Sequence, residues 1–342
     1  MKTASRIALA AVASVLLTAS LSFAQTRTVP VGYMTYPVVT GATTSFGVPL
    51  LGLPTLTGIA STVTSTTIGV TGVTWTPNQF AGAGTHYFVA IKTGAQAGRA
   101  LLVLGNTSNA LTLDVEDTNL NASGFAVTAA VDTFELFQGH TLASLFGSTA
   151  DGSGFLSSGL KGGATSTVAD AVQVYIGTSF VTYFFNTTLA YWVVNGGTTN
   201  QNDFILYPDD GLLIIRRGPN GDLTMSGRVP ATRLLTKLPG GTSSVVAVRF
   251  PADTTLGGLN FAAPGTWLTG ANTNVADTVG LWSGGKWVLY FKNTSNQWIK
   301  DKGNSADQSA TVIPAGKSIQ ILKRGSATGS ASFFSQSLPY SL

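Results

Sequence analysis

The sequence predicts an all-β protein, with two homologous β-sandwich or barrel-like repeats and a small antiparallel β-barrel inserted in the first. Short runs of β-branched and aromatic residues alternate with Gly-, Asn- and Ser-rich turns, and helical periodicity is nearly absent. Residues 169–218 recur as residues 276–325 in almost the same register, which indicates a duplicated β unit. Only 10% of residues are charged while 44% are hydrophobic, a balance that suits sheets with a hydroxyl-rich surface.

The first 24 residues are predicted to be a secretory signal peptide. Lys2 and Arg6 precede an apolar, Ala-rich run, and the small residues Ser22 and Ala24 mark a cleavage site before Gln25. The apolar run is shorter than the roughly 20 residues that a membrane-spanning helix needs, and no later run is long enough. We therefore expect an exported protein of the extracellular space, cell surface or periplasm, with no transmembrane segment after cleavage.

Charge and cysteine content narrow the classes of partner. The formal net charge is +4, and removing Lys2 and Arg6 with the signal peptide leaves +2, which is too small and scattered to predict nucleic-acid binding. The chain has no cysteine, so no disulfides form. Few charges also weaken the electrostatic protection against self-association, so self-association or contact with a surface polysaccharide is the expected kind of partnership.

The position of the inserted barrel follows from a comparison of the two repeats. Residues 140–145 of the first copy match residues 254–259 of the second. In the second copy this segment almost directly follows the strand near residues 246–251, whereas in the first copy residues 55–138 separate it from the matching strand near residues 45–49. Insertion into a surface loop costs little free energy. We therefore predict a first repeat of residues 25–54 plus 139–228, an insert of residues 55–138, and a second repeat of residues 229–342.

Each of the matching segments, 169–218 and 276–325, begins with an Ala-Asp pair, so Asp170 and Asp277 occupy equivalent positions. We expect each carboxylate to accept hydrogen bonds from backbone N–H groups of a turn before a strand. The alternative is that the two carboxylates form a glycosidase pair.

The repeated features together resemble an uncharacterised family of exported, β-rich bacterial proteins with signal peptides and an internal repeat. The resemblance rests on the Ala-Asp start, the aromatic hairpin, the Pro that precedes a strand ending in basic residues, and the stretch from Trp75 to Leu136. It implies export and a β fold, and it implies no activity, ligand or catalytic residue.

The densest run of oxygen ligands is a calcium candidate. Asp114, Glu116, Asp117 and Asn119 lie close together in sequence, and Ca²⁺ prefers six to eight oxygen ligands of this kind. The run lacks the EF-hand spacing, so the alternative is a solvated strand end and turn. No other cofactor is predicted.

Aromatic residues of the repeated hairpin are the candidate sugar-binding residues. Tyr191, Trp192 and Trp298 lie near polar side chains, and aromatic faces of this kind bind sugar rings. This interpretation requires an exposed Trp192 or Trp298, and the alternative is that the rings pack in the core.

The sequence predicts no catalytic residue. It contains two histidines, His86 and His140, with no G-x-S-x-G elbow and no second His at metal-binding spacing. We therefore expect a non-enzymatic structural or interaction protein of the cell surface or extracellular matrix, with a carbohydrate-binding or carbohydrate-degrading secreted protein as the alternative. A long uncovered edge strand favours the first hypothesis, and an exposed Trp groove favours the second.

Overall fold

The computed structural model describes residues 29–82, 84–262, 266–303, 305–324 and 331–341, so the predicted signal peptide lies outside the described residues. The protein is 44% strand and 3% helix, which confirms the predicted all-β class. The first eleven strands are β1 Val31–Val38, β2 Thr43–Gly47, β3 Pro54–Ile59, β4 Thr62–Val63, β5 Thr67–Gly69, β6 Tyr87–Ile91, β7 Ala100–Asn106, β8 Ala110–Leu113, β9 Asn121–Ala122, β10 Phe125–Ala126 and β11 Thr133–Gln138.

The remaining strands are accompanied by a short α-helix, α1 Leu142–Phe146, whose N-cap Thr141 and Ser144 form a reciprocal capping box, and by a 3-10 helix, Leu256–Gly258. These strands are β12 His140–Thr141, β13 Ala171–Ile176, β14 Ser179–Asn186, β15 Tyr191–Val194, β16 Ile205–Leu206, β17 Gly211–Ile215, β18 Gly221–Arg228, β19 Leu234–Pro239, β20 Ser243–Ala247, β21 Thr254–Thr255, β22 Asn260–Ala262, β23 Thr278–Ser283, β24 Lys286–Lys292, β25 Trp298–Lys300, β26 Val312–Ile313, β27 Ser318–Leu322 and β28 Ala331–Gln336. No helix among the described residues is long and apolar enough to cross a bilayer.

Two five-stranded antiparallel sheets have matching strand orders. The first runs β15-β14-β13-β17-β2 and the second runs β25-β24-β23-β27-β20. The registers also match, since Ile215 pairs with Ala171 and Thr43 just as Leu322 pairs with Thr278 and Ser243. This correspondence is what the predicted duplication requires, although the duplication itself and the limits of the repeats stay predictions.

The two sheets meet along β2 and β17 of one and β20 and β27 of the other. The Gly47 N–H donates to the Gly316 carbonyl at 2.8 Å, and the Ala247 N–H donates to the Asp209 carbonyl at 2.9 Å. A Cβ on Gly47 would lie 2.8 Å from the Ala247 Cβ, so this close approach requires glycine. Main-chain contacts between small residues therefore hold the sheets together.

Residues 54–138 form a seven-stranded sheet of order β3-β11-β6-β7-β8-β5-β4. It encloses its own core, to which Ile68, Leu111 and Phe134 contribute. The edge strands β3 and β4 are consecutive in the chain, and no ladder joins them among the described residues. The predicted closed barrel is therefore wrong, because the sheet curls around its core without pairing its two edges.

The first five-stranded sheet is completed by a two-stranded ribbon of β1 and β18. β1 and β2 thus pair with strands of residues 211–228 and not with the 54–138 sheet, as the predicted split repeat requires. Tyr36 and Val38 of β1 join the same core as Phe46, Leu223 and the other buried residues of this sheet. The second five-stranded sheet has a separate core, completed by Leu238 and Phe334 of the three-stranded sheet β19-β28-β22.

Candidate functional site

The outer edge of β1 is the candidate functional site. The register places Val31 opposite Arg228, and both main-chain groups of Arg228 bond to Leu51 on the far side of β18. Because bonded and non-bonded pairs alternate in an antiparallel ladder, the N–H and C=O groups of Val31, Tyr33 and Thr35 point away from β18. No described residue pairs with this edge.

The side chains of β1 alternate between solvent and core. Val31 is 67% exposed and Tyr33 is 77% exposed, whereas Tyr36 and Val38 are buried. The inward residues hold the ribbon on the core of the first sheet, so the exposed apolar residues sit on a fixed strand. Exposed Val and Tyr on an unpaired edge are unusual, because an uncovered edge readily pairs with another chain.

An apolar depression of about 570 Å³ borders the start of β1. Tyr33 and Leu53 contribute to its wall, and Leu53 is 61% exposed. The depression crosses the face of the ribbon from β1 over Ser226 and Gly227 of β18 to residues 51–53, so it continues the exposed apolar surface on the side of β1 that faces β18. Burial of such contiguous apolar area is the main driving force for association.

Charge does not protect this edge. The eight residues of β1 include no charged side chain, whereas β18 carries Asp222 and Arg228. Pro37 lies at an outward-facing position, where its missing N–H costs no bond to β18. The unprotected part of the edge therefore extends from Val31 to Thr35.

The predicted calcium ligands are distributed around a turn of the 54–138 sheet. The backbones of Glu116 and Asp117 are left-handed, with φ of 48° and 67°, and the Asp114 carboxylate accepts the Glu116 N–H at 3.2 Å. The Asp117 carboxylate meets the Lys237 ammonium at 3.4 Å, and Asn119 is exposed. Within the described ranges, no group of three or more acidic or histidine side chains is placed to hold a metal ion. Calcium binding stays a prediction.

Glu116 lies near acidic residues from another part of the chain, and not only near Asp114 and Asp117, with which it was predicted to bind calcium. It lines a cleft of about 310 Å³ with Asp209 and Asp210, which precede β17. Burial in this cleft, followed by repulsion from Asp209, raises the pKa of Asp210 to about 8. The same two causes raise the pKa of Glu116 to about 7, although solvent on its exposed side weakens this effect. We call this the acidic cleft.

The predicted sugar-binding tryptophans are core residues. Trp192 and Trp298 are each 1% exposed, and they occupy equivalent positions in β15 and β25. The Trp192 indole N–H donates to the Gly147 carbonyl at 2.8 Å, and Trp298 packs edge-on against Trp267. Tyr191 is partly exposed, and its hydroxyl donates to the Thr198 carbonyl. The predicted groove with an exposed Trp192 or Trp298 is therefore wrong, because the hairpin turns these rings inward.

Asp170 and Asp277 are structural. The Asp170 carboxylate accepts the N–H groups of Arg217 and Gly218 and pairs with the Arg216 guanidinium. Asp277 accepts the Arg324 N–H and pairs with the Lys323 ammonium. The expectation that these carboxylates accept backbone N–H groups is confirmed, but donors at the basic ends of distant strands, and not only a turn before the strand, supply them, and ion pairing to the same strand ends adds to the interaction.

Comparison with known proteins identifies no relative: no protein-family model, curated protein or solved structure matches the chain. Sequence reasoning had not singled out β1. Its alternation of Val31, Tyr33 and Thr35 with inward-facing residues, together with the absence of charge, was a readable signal of an edge strand.

Proposed function

We propose that this chain is an exported, non-enzymatic structural or interaction protein of the cell surface or extracellular matrix. It associates with a second copy of itself by pairing the outer edges of two β1 strands. The observation that carries the proposal is the uncharged, unpaired edge from Val31 to Thr35 with its exposed apolar side chains.

A second copy fits this edge for two reasons. Two β1 strands related by a twofold axis pair antiparallel, so each donates and accepts through the same outward groups of Tyr33 and Thr35. The same arrangement brings a neighbouring strand beside the exposed Val31 and Tyr33 of both copies, which removes exposed apolar surface twice. The alternative function, carbohydrate binding through Trp192 or Trp298, loses support because both rings are buried.

The test is the molar mass of the chain from Gln25 to Leu342, measured by size-exclusion chromatography with light scattering over a range of concentrations. Thr35→Pro removes an outward N–H without removing a bond to β18, and Thr35→Ala keeps that N–H. Both variants lose the Thr35–Thr224 hydroxyl contact, so they form a matched pair.

We expect dimers for the wild-type chain and for Thr35→Ala, and monomers for Thr35→Pro with an unchanged circular dichroism spectrum. A wild-type chain that stays monomeric at every concentration contradicts the proposal. If Thr35→Pro forms dimers over the same concentration range as the wild-type chain, the interface lies elsewhere, and the assignment to β1 is wrong.

A further inference from the structure

A second cleft lies where the outer edge of β2 faces the β23–β24 hairpin of the other five-stranded sheet. Its volume is about 490 Å³, within the roughly 300–1,000 Å³ of small-molecule sites. Its lining combines apolar side chains with hydroxyl-bearing ones. The hydroxyl-bearing residues are Thr43, Thr44, Ser45, Ser283, Tyr290, Thr311 and Ser318. We call this the basic cleft, for the charges described below.

Trp282 forms an aromatic wall of the basic cleft. Its indole N–H donates to the Thr43 carbonyl at 2.8 Å, and its ring meets Trp287 edge-on at 5.0 Å. These contacts fix the orientation of a ring that remains partly exposed. A fixed aromatic surface beside hydroxyl groups suits a sugar, which presents C–H groups on one face and polar groups at its edges.

Two lysines give the basic cleft its charge. Lys300 and Lys317 line it, no carboxylate does, and neither lysine belongs to any ion pair found among the described residues. Burial lowers the pKa of Lys317, with no nearby carboxylate to oppose the effect. An anion in the cleft would compensate for the water that this ammonium group has lost.

The acidic cleft provides an internal comparison. Asp210 directly precedes Gly211, which pairs with Gly47, and Lys317 directly precedes Ser318, which pairs with Ala247. Asp210 and Lys317 therefore hold equivalent positions in the two matching sheets, where one cleft has a carboxyl group and the other has an ammonium group. The architecture of the sheets creates both clefts, whereas individual side chains set their charge.

We propose that the basic cleft binds an anionic saccharide unit, a sugar ring that carries a carboxylate or sulfate group. Lys317 binds the anionic group, Lys300 supports it at the rim, and Trp282 stacks on the ring. The hydroxyls of the partly exposed Thr43 and Thr44 of β2 are available to the hydroxyls of the sugar. The site is separate from β1, so the proposal does not depend on self-association.

The test is isothermal titration calorimetry of the chain from Gln25 to Leu342 with tetragalacturonic acid at low salt. The methyl-esterified tetrasaccharide keeps the rings and removes the charge, and a heparin-derived tetrasaccharide supplies sulfate in place of carboxylate alone. Lys317→Gln removes the central charge. Lys286→Gln is the matched control, because Lys286 is exposed at the tip of the β23–β24 hairpin, which carries Trp282, and does not line the cleft.

We expect binding of at least one of the two anionic tetrasaccharides, and the tighter one identifies the acidic group. Lys317→Gln should weaken that binding by about tenfold or more, whereas Lys286→Gln should leave it within about twofold. Loss of binding to the methyl ester is also expected. Absence of binding by both anionic probes overturns the proposal, as does equal weakening by the two lysine variants or undiminished affinity for the ester.

Discussion

Removal of the Asp170 carboxylate tests the account of the ion pairs at the strand ends. The carboxylate is inaccessible to solvent, bonds the Arg216 guanidinium at 2.5 Å and accepts the N–H groups of Lys161, Arg217 and Gly218 at 2.6, 2.6 and 2.8 Å. Asp170→Ala leaves a guanidinium with 4% of its side chain exposed and three N–H groups without their acceptor.

The magnitude follows from these contacts. Breaking a buried ion pair by removing one partner costs about 3–5 kcal/mol, because the remaining charge stays buried. Arg216 retains the carbonyls of Gly159 and Pro219, which limits this cost, whereas the three unpaired N–H groups add about 1–3 kcal/mol each where water does not reach them. We therefore expect Asp170→Ala to lower the free energy of unfolding by at least about 4 kcal/mol.

The assay is urea denaturation followed by circular dichroism, with Asp222→Ala as the control. Asp222 is exposed on β18, so its removal should change the free energy of unfolding by less than about 0.5 kcal/mol. Asp277→Ala should match Asp170→Ala, since Asp277 holds the equivalent pair with Lys323. A loss below about 1 kcal/mol for Asp170→Ala would refute the reasoning, because a buried guanidinium would then tolerate the absence of its partner.

Three further changes test the core, the sheet contact and the acidic cleft. Trp192→Ala should lower the free energy of unfolding by about 3–5 kcal/mol in urea denaturation, because it empties a buried site; a loss below about 1 kcal/mol would contradict this. Gly47→Val should cost about 1–3 kcal/mol in the same assay because its side chain meets Ala247, whereas Gly82→Val, with open space around it, should cost less. Burial raises the pKa of Asp210 from 3.8 to about 8, so the native state binds this proton more tightly than the unfolded chain, and the resulting stability is lost as pH rises between these values. Asp210→Asn should therefore gain thermal stability relative to wild type between about pH 5 and about pH 9, and a difference in melting temperature that does not change with pH would contradict the shift.

Much of the fold was predictable because local pattern and global structure agree. The matching segments 169–218 and 276–325 contain the strands whose order and register coincide in the two five-stranded sheets. The role of Asp170 was predictable only in kind: it accepts backbone N–H groups, but Arg217 and Gly218, at the end of a strand distant in sequence, supply two of them and a local turn does not. The inferences that hold therefore depend on strands that carry strong β patterns.

Closure of the 54–138 sheet was not predictable from the strands themselves. β3 and β4 have the composition of paired strands, but whether they bond each other depends on the path of Ala60 and Ser61 between them. Ala60 donates to Asp132 on one side of the sheet and Ser61 donates to Gly69 on the other. The chain therefore passes from one edge of the open sheet to the other between Ala60 and Ser61. No local sequence signal distinguishes this path from one in which β3 and β4 pair and close a barrel.

The site residues were harder to predict because their partners are distant in sequence. Trp192 lies between Tyr191 and Val193, and Trp298 has Ile299 as a neighbour, so the local pattern does not show which face of each strand meets solvent. Glu116 meets Asp209 and Asp210 only because the 54–138 sheet lies beside the sheet contact. Neither cleft is visible in a strand pattern, since each forms where one sheet meets a hairpin of the other.

The difference between the two clefts determines how many anionic ligands one chain binds. The sheets are held by main-chain bonds of Gly47 and Ala247, which do not require a particular side chain at the cleft positions. Asp210 and Lys317 are therefore free to differ, and an anion that pairs with Lys317 finds a carboxyl group in place of an ammonium group at the equivalent position of the acidic cleft. The matching architecture alone would give two anion sites per chain, but only the basic cleft has a lysine at this position, so we predict one site. Calorimetric titration with the tighter anionic tetrasaccharide should accordingly reach saturation at one ligand per chain, and a stoichiometry of two would mean that the shape shared by the clefts, and not Lys317, governs binding.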